Sequence, residues 1–232
     1  MAQQATQDPT LLAERWVGVV SHDLRTPLTA IRMAVDMLGI ANLDPSSAKL
    51  VSRVGDATHR AQRLIEDLLD FSQVRGGRGL LAVRECIDVH ASVADALSEL
   101  SLAFPKARLV HIKNGPGTCS GDRDRLAQAL GNLVSNAVTY GAPDRPITVT
   151  SETTDGQCTL SVHNDGAVIE PDDMATLFEP MVRADKHWSN SRSLGLGLFI
   201  VREISRAHAG EVAVLSSAEH GTLFTVTFPN PI

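Results

Sequence analysis

Arg75-Gly76-Gly77-Arg78-Gly79 divides this sequence into two stretches with different hydrophobic periods. Three glycines and two arginines in succession leave nothing to bury and interrupt both helical and strand patterns, so residues 76–79 read as a linker. Upstream, apolar residues recur three or four apart: Val17, Val20, Leu24, Leu28, Ile31, Val35 and Leu38, then Val54, Ala57, Ala61, Leu64, Leu68 and Phe71. This spacing predicts two long amphipathic helices joined by a turn near Asn42-Leu43-Asp44-Pro45. One narrow apolar stripe per helix leaves a lone hairpin poorly buried. Two hairpins pairing as a four-helix bundle bury both stripes, which predicts a homodimer.

Downstream the pattern is mixed. Helical spacing recurs over residues 91–104, 123–140 and 196–209, and strand-like runs occupy 147–152, 158–162, 211–216 and 223–228. Helices interspersed with antiparallel strands predict a two-layer α+β domain. The expected division is therefore an all-α hairpin over 1–75, the linker over 76–79 and an α+β sandwich over 80–232.

Composition narrows the class. The chain has 232 residues, 43% of them hydrophobic and 21% charged, with a net charge of -6; that excludes collagen-like and disordered chains and argues against a nucleic-acid binder. No apolar run approaches the roughly 20 residues of a membrane span, and the first residues lack the basic and apolar segments of a signal peptide. Cys86, Cys119 and Cys158 are odd in number and far apart in sequence, a pattern of reduced thiols in a cytoplasmic setting rather than of a disulfide framework.

Four polar constellations interrupt the apolar patterns. In Ser21-His22-Asp23-Leu24-Arg25-Thr26-Pro27-Leu28, His22 falls on the helix face away from the apolar stripe, with Thr26 one turn on and Asp23 on the flank. An exposed imidazole beside a carboxylate suits a nucleophile, and a threonine hydroxyl on the same face suits the holding of a water; a lone surface histidine is the plainer alternative. In Asn132-Leu133-Val134-Ser135-Asn136-Ala137-Val138-Thr139-Tyr140, Asn132, Asn136 and Tyr140 share one helix face. An amide carbonyl is a hard oxygen ligand for Mg²⁺, and a tyrosine ring can flank a base or fill a core. Val162-His163-Asn164-Asp165-Gly166-Ala167-Val168-Ile169 is a turn after a strand-like run. Leu194-Gly195-Leu196-Gly197-Leu198-Phe199-Ile200-Val201 opens an apolar helix with glycines, where backbone N–H groups meet anions.

In their order, these constellations resemble the H-box, N-box and two glycine boxes of HisKA-type sensor histidine kinases, with Leu177-Phe178-Glu179-Pro180 similar to the F-box. The resemblance runs from Leu11 to Pro229. It implies a Bergerat-type (GHKL) ATP-binding fold for the α+β part and a dimeric histidine-phosphotransfer hairpin before it. It also implies that His22 accepts phosphate, that Asp23 is its acid/base partner, and that Thr26 places water in a phosphatase reaction. Asn136 would bind Mg²⁺ with Asn132 near the phosphates, Tyr140 and Asn164 would contact adenine, and Gly166 would admit the nucleotide. Gly195, Gly197 and Leu198 would meet the phosphates of ATP, with Arg183 and Lys186 as further phosphate contacts. The implied partner is the receiver domain of a response regulator. Four positions depart from the family pattern: Asn164 replaces an aspartate, Val168 a glycine, Thr139 a lysine and Ser193 a glycine. They motivate the alternative of a catalytically weak scaffold, phosphorelay or phosphatase-biased dimer. Few residues precede the first helical run, so the resemblance implies that any signal-sensing part lies outside these residues.

Overall fold

A computed structural model describes residue 24 and residues 26–39, 43–182 and 194–231. The chain divides into two compact units, Met1–Gly79 and Leu80–Ile232. No helix among the described residues is long and apolar enough to cross a membrane.

In the first unit, residues 26–39 are helical (α1) and Pro45–Arg75 forms α2. The start of α2 is set locally: the Asp44 carboxylate accepts from the N–H groups of Ser46 at 2.9 Å and Ser47 at 3.1 Å, and Pro45 takes the first turn, where no N–H is needed. The hydroxyls of both serines, with those N–H groups, hold the Asp44 carboxyl well below the usual carboxylate range. The helix stops at Gly76, whose N–H bonds to Ser72 O at 3.0 Å, and the Gln73 side chain donates to Gly79 O at 3.1 Å. α1 and α2 approach closely at Gly55, where a Cβ would lie 3.1 Å from Val35 Cγ1. The hairpin leaves Ile31, Met33, Met37, Leu38, Leu50 and Val54 exposed. Farther along α2, burial and the neighbouring Asp70 push the Asp67 carboxyl up to about 6, against the opposing pull of Arg63.

The second unit runs β1 (Glu85–Asp88), α3 (Val89–Ala103), β2 (Leu109–Asn114), β3 (Thr118–Gly121), α4 (Arg123–Tyr140), β4 (Ile147–Thr154), β5 (Gly156–Asn164), α5 (Pro171–Met174), α6 (Gly197–Ala207), β6 (Glu211–Ser217) and β7 (Gly221–Asn230). β2, β4, β5, β7 and β6 lie side by side in that order; β2 runs parallel to β4 and the other pairs are antiparallel. β1 and β3 form a separate antiparallel pair. Alternation decides which sheet face is covered. Ile147 and Val149 of β4, Cys158, Leu160 and Val162 of β5 and Phe224, Val226 and Phe228 of β7 are all buried, as are Leu126, Leu130, Leu133 and Val134 of α4 and Ile200, Val201 and Ile204 of α6. These make the core of a two-layer α+β sandwich. β4, β5, β6, β7, α4 and α6 fall where the apolar spacing puts them; β1, β2, β3 and the short α5 do not emerge from it.

Two polar knots fasten this unit. The Arg84 guanidinium donates to Ser120 O at 3.0 Å, His208 O at 3.1 Å and Pro229 O at 2.6 Å and lies over the Phe228 ring. Fully buried His208 donates from Nδ1 to Ile204 O at 2.8 Å and accepts the Asp122 N–H at Nε2, 3.0 Å away, so one neutral tautomer satisfies both contacts. At the β2 side, the buried Ser151 hydroxyl sits between His90 Nδ1 at 2.7 Å and His111 Nε2 at 2.8 Å. His90 Nε2 faces Gly115 O at 3.2 Å, so it carries the proton; Ser151 then donates to Nδ1 and accepts from His111. Cys119 and Cys158, distant in sequence, are brought together as buried hydrogen-bonded thiols, and that bond and burial push the Cys158 thiol up.

Candidate functional site

The site is built along α4. Asp122 starts the helix by accepting the N–H groups of Asp124 and Arg125, each at 3.1 Å. The helix buries Leu126, Leu130, Leu133, Val134 and Ala137 on one side. Asn132 and Asn136, half-buried, and Tyr140, 37% exposed, lie along the other. Eight residues at about 1.5 Å each put Asn132 and Tyr140 about 12 Å apart, so α4 carries an elongated site with two different ends.

At the Asn132 end stands the start of α6. Leu196 occupies the N-cap position and no side chain caps the helix, which leaves first-turn N–H groups and the positive end of the helix dipole for an anion. A Cβ on Gly197 would come within 3.3 Å of Asn132 Oδ1, so the helix start and the asparagine are packed together. Asn132 Nδ2 is buried without a hydrogen-bond partner, a donor left over beside the same helix start. Gly195 has φ 69°, and a Cβ there would lie 2.8 Å from Val182 O; only glycine fits this turn.

At the Tyr140 end, Gly141 and Gly166 form an isolated antiparallel bridge. A Cβ on Gly166 would sit 2.5 Å from Tyr140 O, so the turn after β5 closes onto the end of α4 only because position 166 has no side chain. Asn164 ends β5, 6% exposed, and its Nδ2 donates to Asp165 O at 3.2 Å. That carbonyl accepts only, so the amide turns its oxygen away from it, leaving an acceptor for a ligand. The Asp165 carboxylate is drawn to Arg145, 4.0 Å away. A donor-rich end and an end carrying an acceptor and an aromatic ring thus share one helix face. Among the described residues no three His, Cys, Asp or Glu converge; the Asn136 side-chain carbonyl, one turn from Asn132, is a hard oxygen donor of the kind Mg²⁺ takes beside phosphate oxygens and water.

The structure therefore brings together Asn132, Gly197 and Gly195 at one end and Tyr140, Asn164 and Gly166 at the other, with Leu198 in the first turn of α6. Thr26 lies exposed on α1 in the first unit. His22, Asp23, Arg183 and Lys186 fall outside the described residues. Spacing alone missed Glu179, whose carboxylate pairs with Arg202 of α6 at 2.8 Å, and Ser216, which accepts the Ile169 N–H at 3.0 Å and shares a hydrogen bond with Thr222 at 2.7 Å. The first pair joins residues too far apart in sequence for any helical rule to connect, and the second is a cross-strand contact visible only once β6 and β7 are paired.

The family model described as the His Kinase A (phospho-acceptor) domain matches residues 13–77, and that of the histidine kinase-, DNA gyrase B- and HSP90-like ATPase matches residues 121–232. A bacteriophytochrome of Pseudomonas aeruginosa is 34% identical over 88% of this chain, and the sensor histidine kinase TrcS of Mycobacterium tuberculosis 33% over 96%. The chain spans 28% and 45% of the lengths of these two relatives. Among solved structures, full-length ShkA in complex with AMPPNP aligns with 94% of this chain and 45% of its own, at 25% identity and TM-score 0.66. The histidine kinase AdeS of Acinetobacter baumannii aligns over 91% of this chain and 98% of its own, at 25% identity and TM-score 0.61.

Proposed function

The chain belongs to the histidine kinase family, whose two domain models match it in order, and from that membership we propose that it is the kinase core of a two-component system. In this reading ATP lies along α4 with adenine at the Tyr140 and Asn164 end and its phosphates at the start of α6. The observation that carries it is the orphaned Asn132 amide packed against the uncapped α6 start, on the same helix face as Asn136 and Tyr140.

Asn164 accepts the adenine amino group through Oδ1, and Gly166 lets the base approach. Asn132 and the N–H groups at Gly195, Gly197 and Leu198 hold phosphate oxygens, joined by Arg183 and Lys186. Asn136 holds Mg²⁺, which neutralises charge on the phosphates when bound. A ring nitrogen of His22 attacks the γ-phosphorus in line; the bond to the ADP oxygen breaks, ADP leaves, and Asp23 stabilises the imidazolium and takes its proton. The phosphoryl group then passes to an aspartate of a response-regulator receiver domain, and Thr26 places water for the reverse, hydrolytic reaction. The exposed apolar residues of α1 and α2 support a homodimer in which a second hairpin covers them. An ATP-dependent reaction and unbridged thiols support a cytoplasmic location.

Incubating the purified chain with γ-labelled ATP and Mg²⁺ tests this. Acid-labile, base-stable label that disappears in His22→Ala supports the kinase. The neutral amide at Asn164, where the family pattern has a carboxylate, favours a second reading, a weak nucleotide-binding scaffold, phosphorelay or phosphatase-biased dimer. Absence of label with measurable dephosphorylation of a phosphorylated receiver domain selects that second reading.

A further inference from the structure

Met181 is an anomaly. It is one of only two non-glycine residues among those described with positive φ, 63°, yet its side chain is 63% exposed. A left-handed conformation is unfavourable for a non-glycine residue, and here no burial of the side chain offsets it. Its backbone, by contrast, is engaged: the Met181 N–H donates to Gly195 O at 2.9 Å.

That bond fixes a peptide plane. The Gly195 carbonyl and the Leu196 N–H belong to one trans unit, so a carbonyl drawn to Met181 points the Leu196 N–H the opposite way. Leu196 is the N-cap residue of α6 and is itself 1% exposed, so the plane is buttressed from below. Met181 is in turn held by what precedes it. Pro180 fixes one dihedral. Glu179 pairs with Arg202 Nη1 at 2.8 Å, and Arg202 also reaches Glu203 Oε1 through Nε at 3.3 Å and lies over the Phe199 ring at 5.4 Å from its centroid. Phe178 meets Phe224 of β7 edge to face, ring centroids 6.3 Å apart. Arg202 is 21% exposed and Glu203 8%, so the ion pair is anchored in the body of the unit.

We propose that Arg202, acting through Glu179 and the Met181 backbone, is a positioning residue that aims the Gly195–Leu196 peptide and the first turn of α6 at the phosphates of the nucleotide. Arg202 touches no ligand in this scheme. Its contribution is directional, and it rests on the reading of this site as a nucleotide site.

The test compares ligands that share a base and differ in charge. Binding of ATP and of adenosine to the full chain is measured by calorimetry with Mg²⁺, for the wild type, Arg202→Ala and Glu179→Gln. The expected result is ATP binding weakened about tenfold by Arg202→Ala and about threefold by Glu179→Gln, with adenosine binding changed less than twofold. Equal weakening of ATP and adenosine would assign Arg202 a merely structural role and overturn the proposal, as would ATP binding unchanged in both variants. Glu179 is exposed, so its variant gives a readout even where Arg202→Ala fails to fold. Failure of the wild type to bind either ligand would instead remove the nucleotide site itself, and with it this proposal.

Discussion

Asn136 carries the sharpest consequence of the site at the scale of one residue. Half-buried on an exposed stripe of α4, it contributes nothing to the apolar face of that helix. Asn136→Ala is therefore expected to abolish labelling by ATP and Mg²⁺ while shifting the thermal midpoint by no more than a few degrees; labelling at the wild-type level would remove the metal from this residue. Asp67 shows the opposite balance. Its carboxyl titrates near 6 because burial and Asp70 disfavour the charge, so the folded hairpin binds a proton more tightly than the unfolded chain. That contribution is full below the unfolded value near 4 and is lost as pH rises through about 6. Asp67→Asn should raise the hairpin's thermal midpoint at pH 7.5 and change little at pH 4, and a lowered midpoint at pH 7.5 would contradict the assignment. The two asparagines of α4 are legible in sequence because i, i+4 spacing puts them on one face whatever surrounds the helix. The direction of the Asn164 amide is not, since the atom that sets it is a backbone carbonyl, the same in every residue type.

Single elements differ in how local their causes are. α4 can be read to its ends because Asp122 and Gly141 flank it and its apolar residues recur at helical spacing. β2 cannot, because Leu109-Val110-His111-Ile112-Lys113-Asn114 alternates poorly and pairs in parallel with β4, far along the chain. The junctions of α6 with α4, through His208, and of β2 with β4, through His111, are equally non-local, and both have a pH signature. Burial holds the His208 imidazole below its ordinary value, and burial with Lys113 and His90 does the same to His111. Both are neutral in the fold, whereas the unfolded chain takes up protons below about pH 6.5. Stability of this unit is then full above that value and falls as pH drops toward the folded values. Hydrogen exchange in α4 and α6 should accelerate, at matched intrinsic rates, between pH 7.5 and pH 5.5. His208→Leu should lose stability at pH 7.5 and flatten the slope; a slope of opposite sign would refute the neutral tautomer.

For the whole molecule, the exposed Ile31, Met33, Met37, Leu38, Leu50 and Val54 set the prediction. Sedimentation of the intact chain should give a dimer, and replacing Met37 and Leu50 by glutamate should shift it toward monomer, whereas an unaltered sedimentation coefficient would place the self-association elsewhere. Residues 76–79 interrupt both periods, and the two compact units meet after Gly79. How the second unit closes on itself was not legible, because one of its two fastenings is an arginine reaching three backbone carbonyls. Arg84 joins the segment that leads into β1 to the last residues of β7, and Leu80 is already buried. The ATPase family model begins only at residue 121. A fragment cut at that boundary would discard Arg84, α3, the strands β1 and β2 and all but the last residue of β3, leaving Pro229 O and His208 O uncapped and the open edge of β4 as a template for another chain. The start of the ATPase family model is therefore the wrong place to cut: a self-sufficient ATP-binding fragment has to start no later than Leu80.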